Sequence, residues 1–126
     1  MRLDGFLAPS RLELSGWLNQ SDVAHFNVLH DHGTALLSCV YFADDGGDVV
    51  RTPNGERATP NDGGHLVLRT QLEAFTHRYG FFSVAPTPGE LWVFPGYLSH
   101  CVMPRLLSKT DGTSARRRLT VAINVT

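Results

Sequence analysis

Arg118-Leu119-Thr120-Val121-Ala122-Ile123-Asn124-Val125 alternates strictly along its length. In a strand, successive side chains point to opposite faces, so Leu119, Val121, Ile123 and Val125 form one row. Arg118, Thr120, Ala122 and Asn124 form the other. The second row mixes small and polar groups, as the wall of a ligand-lined interior does, although a plain outer surface would have a similar make-up.

Working back from this strand, the chain breaks repeatedly into short apolar runs bounded by Gly, Pro, Asn and Asp. Leu12 to Asn19, Val23 to Leu29 and Ala35 to Ala43 are strand candidates, the last ending at Asp44-Asp45-Gly46-Gly47-Asp48. Arg51 to Gly64 is dense in turn residues and reads as a loop. His65 to Arg69, Gly80 to Ala85, Leu91 to Phe94 and Tyr97 to Met103 continue the series, and Gln71 to Tyr79 reads as a helical turn or a loop. About eight short strands punctuated by turns indicate an all-β sandwich or barrel. The double-stranded β-helix, or jelly roll, is the cupin-like version whose interior commonly holds a metal. The expectation is one such domain over residues 1–126, with at most one short helix.

Composition sets limits. The chain has 126 residues, 42% of them hydrophobic, and a net charge of −1. That balance argues against a nucleic-acid surface built on bulk charge. No apolar stretch is long enough for a membrane span, and the start of the chain does not read as a signal peptide. Cys39 and Cys101 are too few for a disulfide framework, so a reducing, cytoplasmic setting is the default.

The chemistry concentrates in three places. His30-Asp31-His32 carries imidazoles at i and i+2, which share a face if the segment is extended. His100 follows at a separation of 68 residues from His32. Together they can occupy one face of an octahedral metal and leave positions open. Arg118, followed by the hydroxyl of Thr120, has the planar fork that clamps a carboxylate.

These residues also carry a resemblance. Trp17-Leu18-Asn19, His30-Asp31-His32, Ser38-Cys39-Val40-Tyr41-Phe42, Gly89-Glu90-Leu91-Trp92-Val93-Phe94-Pro95, His100 and Arg118-Leu119-Thr120-Val121-Ala122-Ile123-Asn124 follow a recurring order. In that order the chain resembles the 2-oxoglutarate/Fe(II) oxygenases, and within them a small group of bacterial, phage and algal proteins with His-x-His in place of His-x-Asp/Glu. The likeness runs over roughly residues 16–126. It implies a dioxygenase that couples oxidative decarboxylation of 2-oxoglutarate to hydroxylation of a substrate, most naturally a small molecule. It implies Fe(II) on His30, His32 and His100, with 2-oxoglutarate held by Arg118 and Thr120. Tyr41 and Asn124 would add polar groups to the pocket.

Three departures bear on that reading. The second ligand position is His32, with Asp31 the alternative if a bulge turns it inward, or Asp48 if it approaches in space. Little sequence precedes Trp17. Cys39 stands where the group's motif has Gly, which would narrow the space beside the site.

Each residue also has an ordinary reading. His25, His65 and His77 read as solvated surface side chains, as do Arg116 and Arg117, and Trp17 and Trp92 read as core. A cupin-type metal enzyme that does not use 2-oxoglutarate, or a non-catalytic jelly-roll binding domain, would share much of this pattern. Exposed strand edges would allow a homodimer.

Overall fold

The turn clusters fall between strands that pair mostly with partners remote in sequence, β4–β5 and β6–β7 being the consecutive pairs. The structure, a computed structural model, describes residues 11–59, 62–72, 79–106 and 116–126. Its strands are β1 (Leu14–Ser21), β2 (Asn27–His30), β3 (Leu37–Asp44), β4 (Val50–Arg51), β5 (Arg57–Ala58), β6 (Leu66–Leu72), β7 (Tyr79–Val84), β8 (Leu91–Pro95), β9 (His100–Val102) and β10 (Arg118–Val125). They form two four-stranded antiparallel sheets, β1-β10-β3-β8 and β2-β9-β6-β7, with β4 and β5 as a separate two-stranded hairpin. No α-helix occurs among the described residues. This is the expected all-β jelly roll.

The core lies between the two large sheets. Phe42 and Phe94 from one sheet meet Leu66, Leu68 and Val84 from the other, with Val40, Trp92, Leu98 and Val102 packed around them. At roughly 1.5–3 kcal/mol for each large apolar side chain taken out of water, this cluster is the main force holding the sheets face to face.

Strand β10 occupies the centre of its sheet. Its aliphatic row pairs with outward residues: Val121 lies between Leu18 and Tyr41, and Val125 between Leu14 and Leu37. The other row therefore faces the second sheet. A register shift between Leu119 and Thr120 leaves Ala43 of β3 opposite neither, a bulge that lies next to Arg118 and Thr120. The outer face keeps Leu14, Leu18, Leu91 and Val93 exposed.

Several boundaries differ from the sequence expectation. The strand expected at Val23 to Leu29 begins only at Asn27. Ala24 adopts a positive φ of 66° and donates its N–H to Arg105 O, turning the chain there. The run from Tyr97 to Met103 is shortened to His100–Val102, because Leu98 N bonds Pro95 O in a turn. The segment read as a loop from Arg51 to Gly64 contains part of the β4–β5 hairpin. The region read as a helical turn or loop contributes residues to β6 and β7, and positions 73–78 lie outside the described residues.

Candidate metal centre

His30 ends β2, and its direct cross-strand partner is His100 at the start of β9. His32 lies just past β2, where its N–H bonds Gly96 O and its C=O accepts from Ala35 N. Gly96 has to be glycine, since a Cβ there would lie 2.1 Å from Ala35 O. This tight crossing swings His32 over the paired histidines. Ring nitrogens of His30, His32 and His100 then lie within 4.8 Å of one another, a group that could hold a metal ion. Ring centroids are 4.4 Å apart for His30–His100, 5.0 Å for His32–His100 and 5.2 Å for His30–His32.

Burial favours the neutral form of two of these imidazoles. Burial pushes the pKa of His100 below its ordinary value of 6.5, and repulsion from His30 and His32 adds to this against a bond to Leu98 O. His32 is lowered as well, first by burial and then by His30. Neutral imidazoles are the form that binds metals. Phe94 packs edge-on against His100, with centroids 4.8 Å apart, and Trp17 flanks His32 at 6.0 Å. Trp17 therefore borders the site half-exposed instead of filling the core; Trp92 packs against the core as expected.

Asp31 is elsewhere. Its carboxylate is exposed and accepts the N–H of Gly33, closing the turn between the histidines. Asp48 is committed too, buried in a two-pronged pair with Arg105. Neither carboxylate joins the histidines.

Beside the cluster is a cavity of about 360 Å³ between the sheets, bordered by Trp17, Asn19, Asn27, the three histidines, Arg118, Thr120 and Asn124. Arg118 is only 3% exposed. One of its terminal nitrogens donates to Gly64 O, and its Nε has no partner among the described residues. Burial first, and Arg105 second, lower its pKa, with Asp48 opposing. A guanidinium in such a place stays charged, and an anion would stabilise it.

Tyr41 is 38% exposed and pairs with Val121 and Leu91 on the outer face, because alternation along β3 carries it away from Val40 and Phe42. It does not border the cavity. Cys39, paired with Ile123 and Val93, has the parity of Tyr41 along β3 yet still borders the cavity. Asn124 borders the cavity, and its amide bonds His32 and Ser38. Arg116 and Arg117 are exposed and pair with Asp44 and Asp22. His25 is exposed; His65 is not, being buried against Ser83 Oγ. His77 lies outside the described residues. Arg105 and Ser38 are both fully buried; Arg105 belongs to none of the sequence motifs, and Ser38 stands there only as the first residue of Ser38-Cys39-Val40-Tyr41-Phe42. A lone Arg after Pro104 and a strand Ser carry no local signal of their partners.

A family model described as "Putative 2OG-Fe(II) oxygenase" matches residues 15–124. The chain belongs to this family. No curated protein matches it. Among solved structures, this 2OG-Fe(II) oxygenase family member is similar to a prolyl-4-hydroxylase from Pseudomonas putida, at 20% identity and a TM-score of 0.58, over 89% of this chain and 50% of that one. It is also similar to an oxidoreductase of the 2OG-Fe(II) oxygenase family from Burkholderia pseudomallei. That likeness has 16% identity and a TM-score of 0.64, over 98% of this chain and 48% of the other. The chain thus spans about half the length of each. At these identities the likeness is one of fold. No helix among the described residues is long and apolar enough to cross a membrane.

Proposed function

We propose that the chain is an Fe(II)- and 2-oxoglutarate-dependent dioxygenase acting on a small-molecule substrate, with His30, His32 and His100 as the metal ligands. The observation that carries this is the convergence of three ring nitrogens within 4.8 Å beside a buried Arg whose Nε is unpartnered. The donor set suits the metal. His32 Nε2 and His100 Nε2 lie 3.3 Å apart, and two lone pairs that close repel unless a cation or a proton lies between them. Imidazole is a good ligand for iron, and a three-His site carries one less negative charge than the two-His, one-carboxylate set.

When bound, Fe(II) and 2-oxoglutarate supply the oxidising chemistry, in which decarboxylation of the oxo acid is coupled to attack on a substrate C–H bond. The protein's part is to position and to shield. Arg118 would receive the remote carboxylate of 2-oxoglutarate through its free N–H groups, with the Thr120 hydroxyl beside it. Phe94 and Trp17 would limit water at the metal. Asn19, Asn27 and the open end of the cavity remain for substrate.

One observation favours a metal enzyme of another kind, without 2-oxoglutarate: Asp31, the carboxylate nearest in sequence, faces solvent. The buried Arg118 weighs against it. The test is oxygen-dependent release of labelled carbon dioxide from 1-labelled 2-oxoglutarate in the presence of Fe(II). Release that survives Asp31→Ala and is lost in His32→Ala and Arg118→Ala supports the proposal; metal binding without any release supports the second reading.

A further inference from the structure

Backbone carbonyls set the tautomer of two of the three imidazoles. His30 Nδ1 lies 2.7 Å from Val28 O, and His100 Nδ1 lies 2.9 Å from Leu98 O. A carbonyl only accepts, so each Nδ1 carries the hydrogen and each Nε2 keeps its lone pair. His32 is different. Its Nδ1 receives the Nδ2 hydrogen of Asn124 at 3.0 Å. A neutral His32 in that arrangement carries its hydrogen on Nε2, which faces the Nε2 lone pair of His100 at 3.3 Å. Behind it, Ser38 Oγ donates to Asn124 Oδ1 at 3.1 Å. Ser38, Asn124, His32 and His100 thus form one directed chain, each donating to the next.

That chain cannot persist with a metal on His32. Ligation needs the lone pair at Nε2, so the hydrogen must move to Nδ1 and meet an acceptor. Rotating the Asn124 amide by half a turn supplies one: Oδ1 then accepts from His32, and Nδ2 donates to Ser38 Oγ, which can accept as readily as it donates. The same atoms stay in contact with the polarity of the chain reversed.

We propose that Asn124 is a positioning residue for His32, and that its amide reverses when a metal ion loads. Asn124 then acts through His32. This rests on the three-His reading above and adds a coupling between metal loading and a side chain on β10. A carboxylate at position 124 would accept from His32 Nδ1–H without any reversal and so favour the metal-bound tautomer.

The experiment uses Zn(II) as a diamagnetic probe. Imidazole ¹⁵N spectra of the full chain report the His32 tautomer without and with Zn(II), and competition with a chromophoric chelator gives Zn(II) affinity. The expected result is Nε2–H without metal and Nδ1–H with it. Asn124→Ala should bind Zn(II) about 10–100-fold more weakly, as loss of a partner behind a ligand does, and Asn124→Asp at least as tightly as the parent. An unchanged Nδ1–H tautomer, unaltered affinity in Asn124→Ala, or Asn124→Asp as weak as Asn124→Ala would each overturn the inference. If the parent protein takes up no Zn(II) at these histidines, the three-His reading itself falls, an outcome distinct from the other three.

Discussion

Arg118 shows how much one residue depends on its neighbours. Its guanidinium occupies the space that a side chain at position 64 would need, since a Cβ on Gly64 would lie 2.1 Å from Nη1. Gly64 also has a φ of +72°, a conformation that costs another residue about 1–2 kcal/mol. Gly64→Ala should therefore lower the melting temperature and weaken 2-oxoglutarate binding together, measurable by thermal unfolding and calorimetry. Arg118→Ala should separate the two ligands. Loss of a charge-assisted pair worth roughly 1.5–3 kcal/mol should raise the 2-oxoglutarate Kd about 10–100-fold. Metal affinity should stay within about twofold, because the hydrogen bond of Arg118 goes to Gly64 O and not to a histidine. Equal loss of both affinities would mean that Arg118 is structural. The sequence made Arg118 legible through its place on the alternating strand; Gly64 was legible only as a turn residue, because its partner lies 54 positions away.

At the scale of elements, parity explains both the successes and the misses. The polar row of β10 lines the cavity through Arg118, Thr120, Ala122 and Asn124, as alternation requires. The same rule applied to β3 places Tyr41 on the outside, which a motif read without parity overlooks. The histidine pair needed more than parity. His30 closes a strand, but His32 reaches the cluster through a turn held by Gly96 O and by Asp31, and nothing in a triplet of residues specifies that crossing. Arg105 is the larger omission. Only 1% exposed, it binds Asp48, Gly46 O and Ser21 O, tying the segment after β9 to the end of β1 and to the turn after β3. Arg105→Ala would strand the buried Asp48 charge and should cost about 3–5 kcal/mol in chemical denaturation. Replacing both, as Arg105→Met with Asp48→Ala, should cost less than the single change. A double variant less stable than Arg105→Ala would show that the pair contributes more than compensation of a buried charge.

For the whole molecule, the strand order is what the sequence concealed. β1 and β10, from opposite ends of the described chain, pair along eight residues in register from Leu14↔Val125 to Ser21↔Arg118. Alternation reveals that both are strands without naming the partner. The fold also carries a pH dependence. Burial lowers the pKa of His65 below 6.5 against the pull of Asp62, and Arg118 adds to the lowering. The unfolded chain therefore binds a proton that the folded chain does not, in the window between that lowered value and 6.5. Stability should be constant with respect to this group above 6.5 and should fall as pH drops through the window, with His32 and His100 acting in the same direction in metal-free protein. Denaturation midpoints of the parent and of His65→Gln between pH 8 and 5 would check this, the variant showing the shallower decline. A parent midpoint that rises on acidification would contradict the burial argument.

Three histidines and an arginine, drawn from both sheets, make one proposed site for Fe(II) and 2-oxoglutarate. Anaerobic titration of metal-free protein with Fe(II) and then 2-oxoglutarate, followed in the visible region, tests it most directly. The expected result is the charge-transfer band of an Fe(II)–oxo acid chelate, retained in Asp31→Ala, abolished in His32→Ala and His100→Ala, and shifted to higher 2-oxoglutarate concentration in Arg118→Ala. A band lost in Asp31→Ala and kept in His32→Ala, or Fe(II) bound with no band at any 2-oxoglutarate concentration, would contradict it.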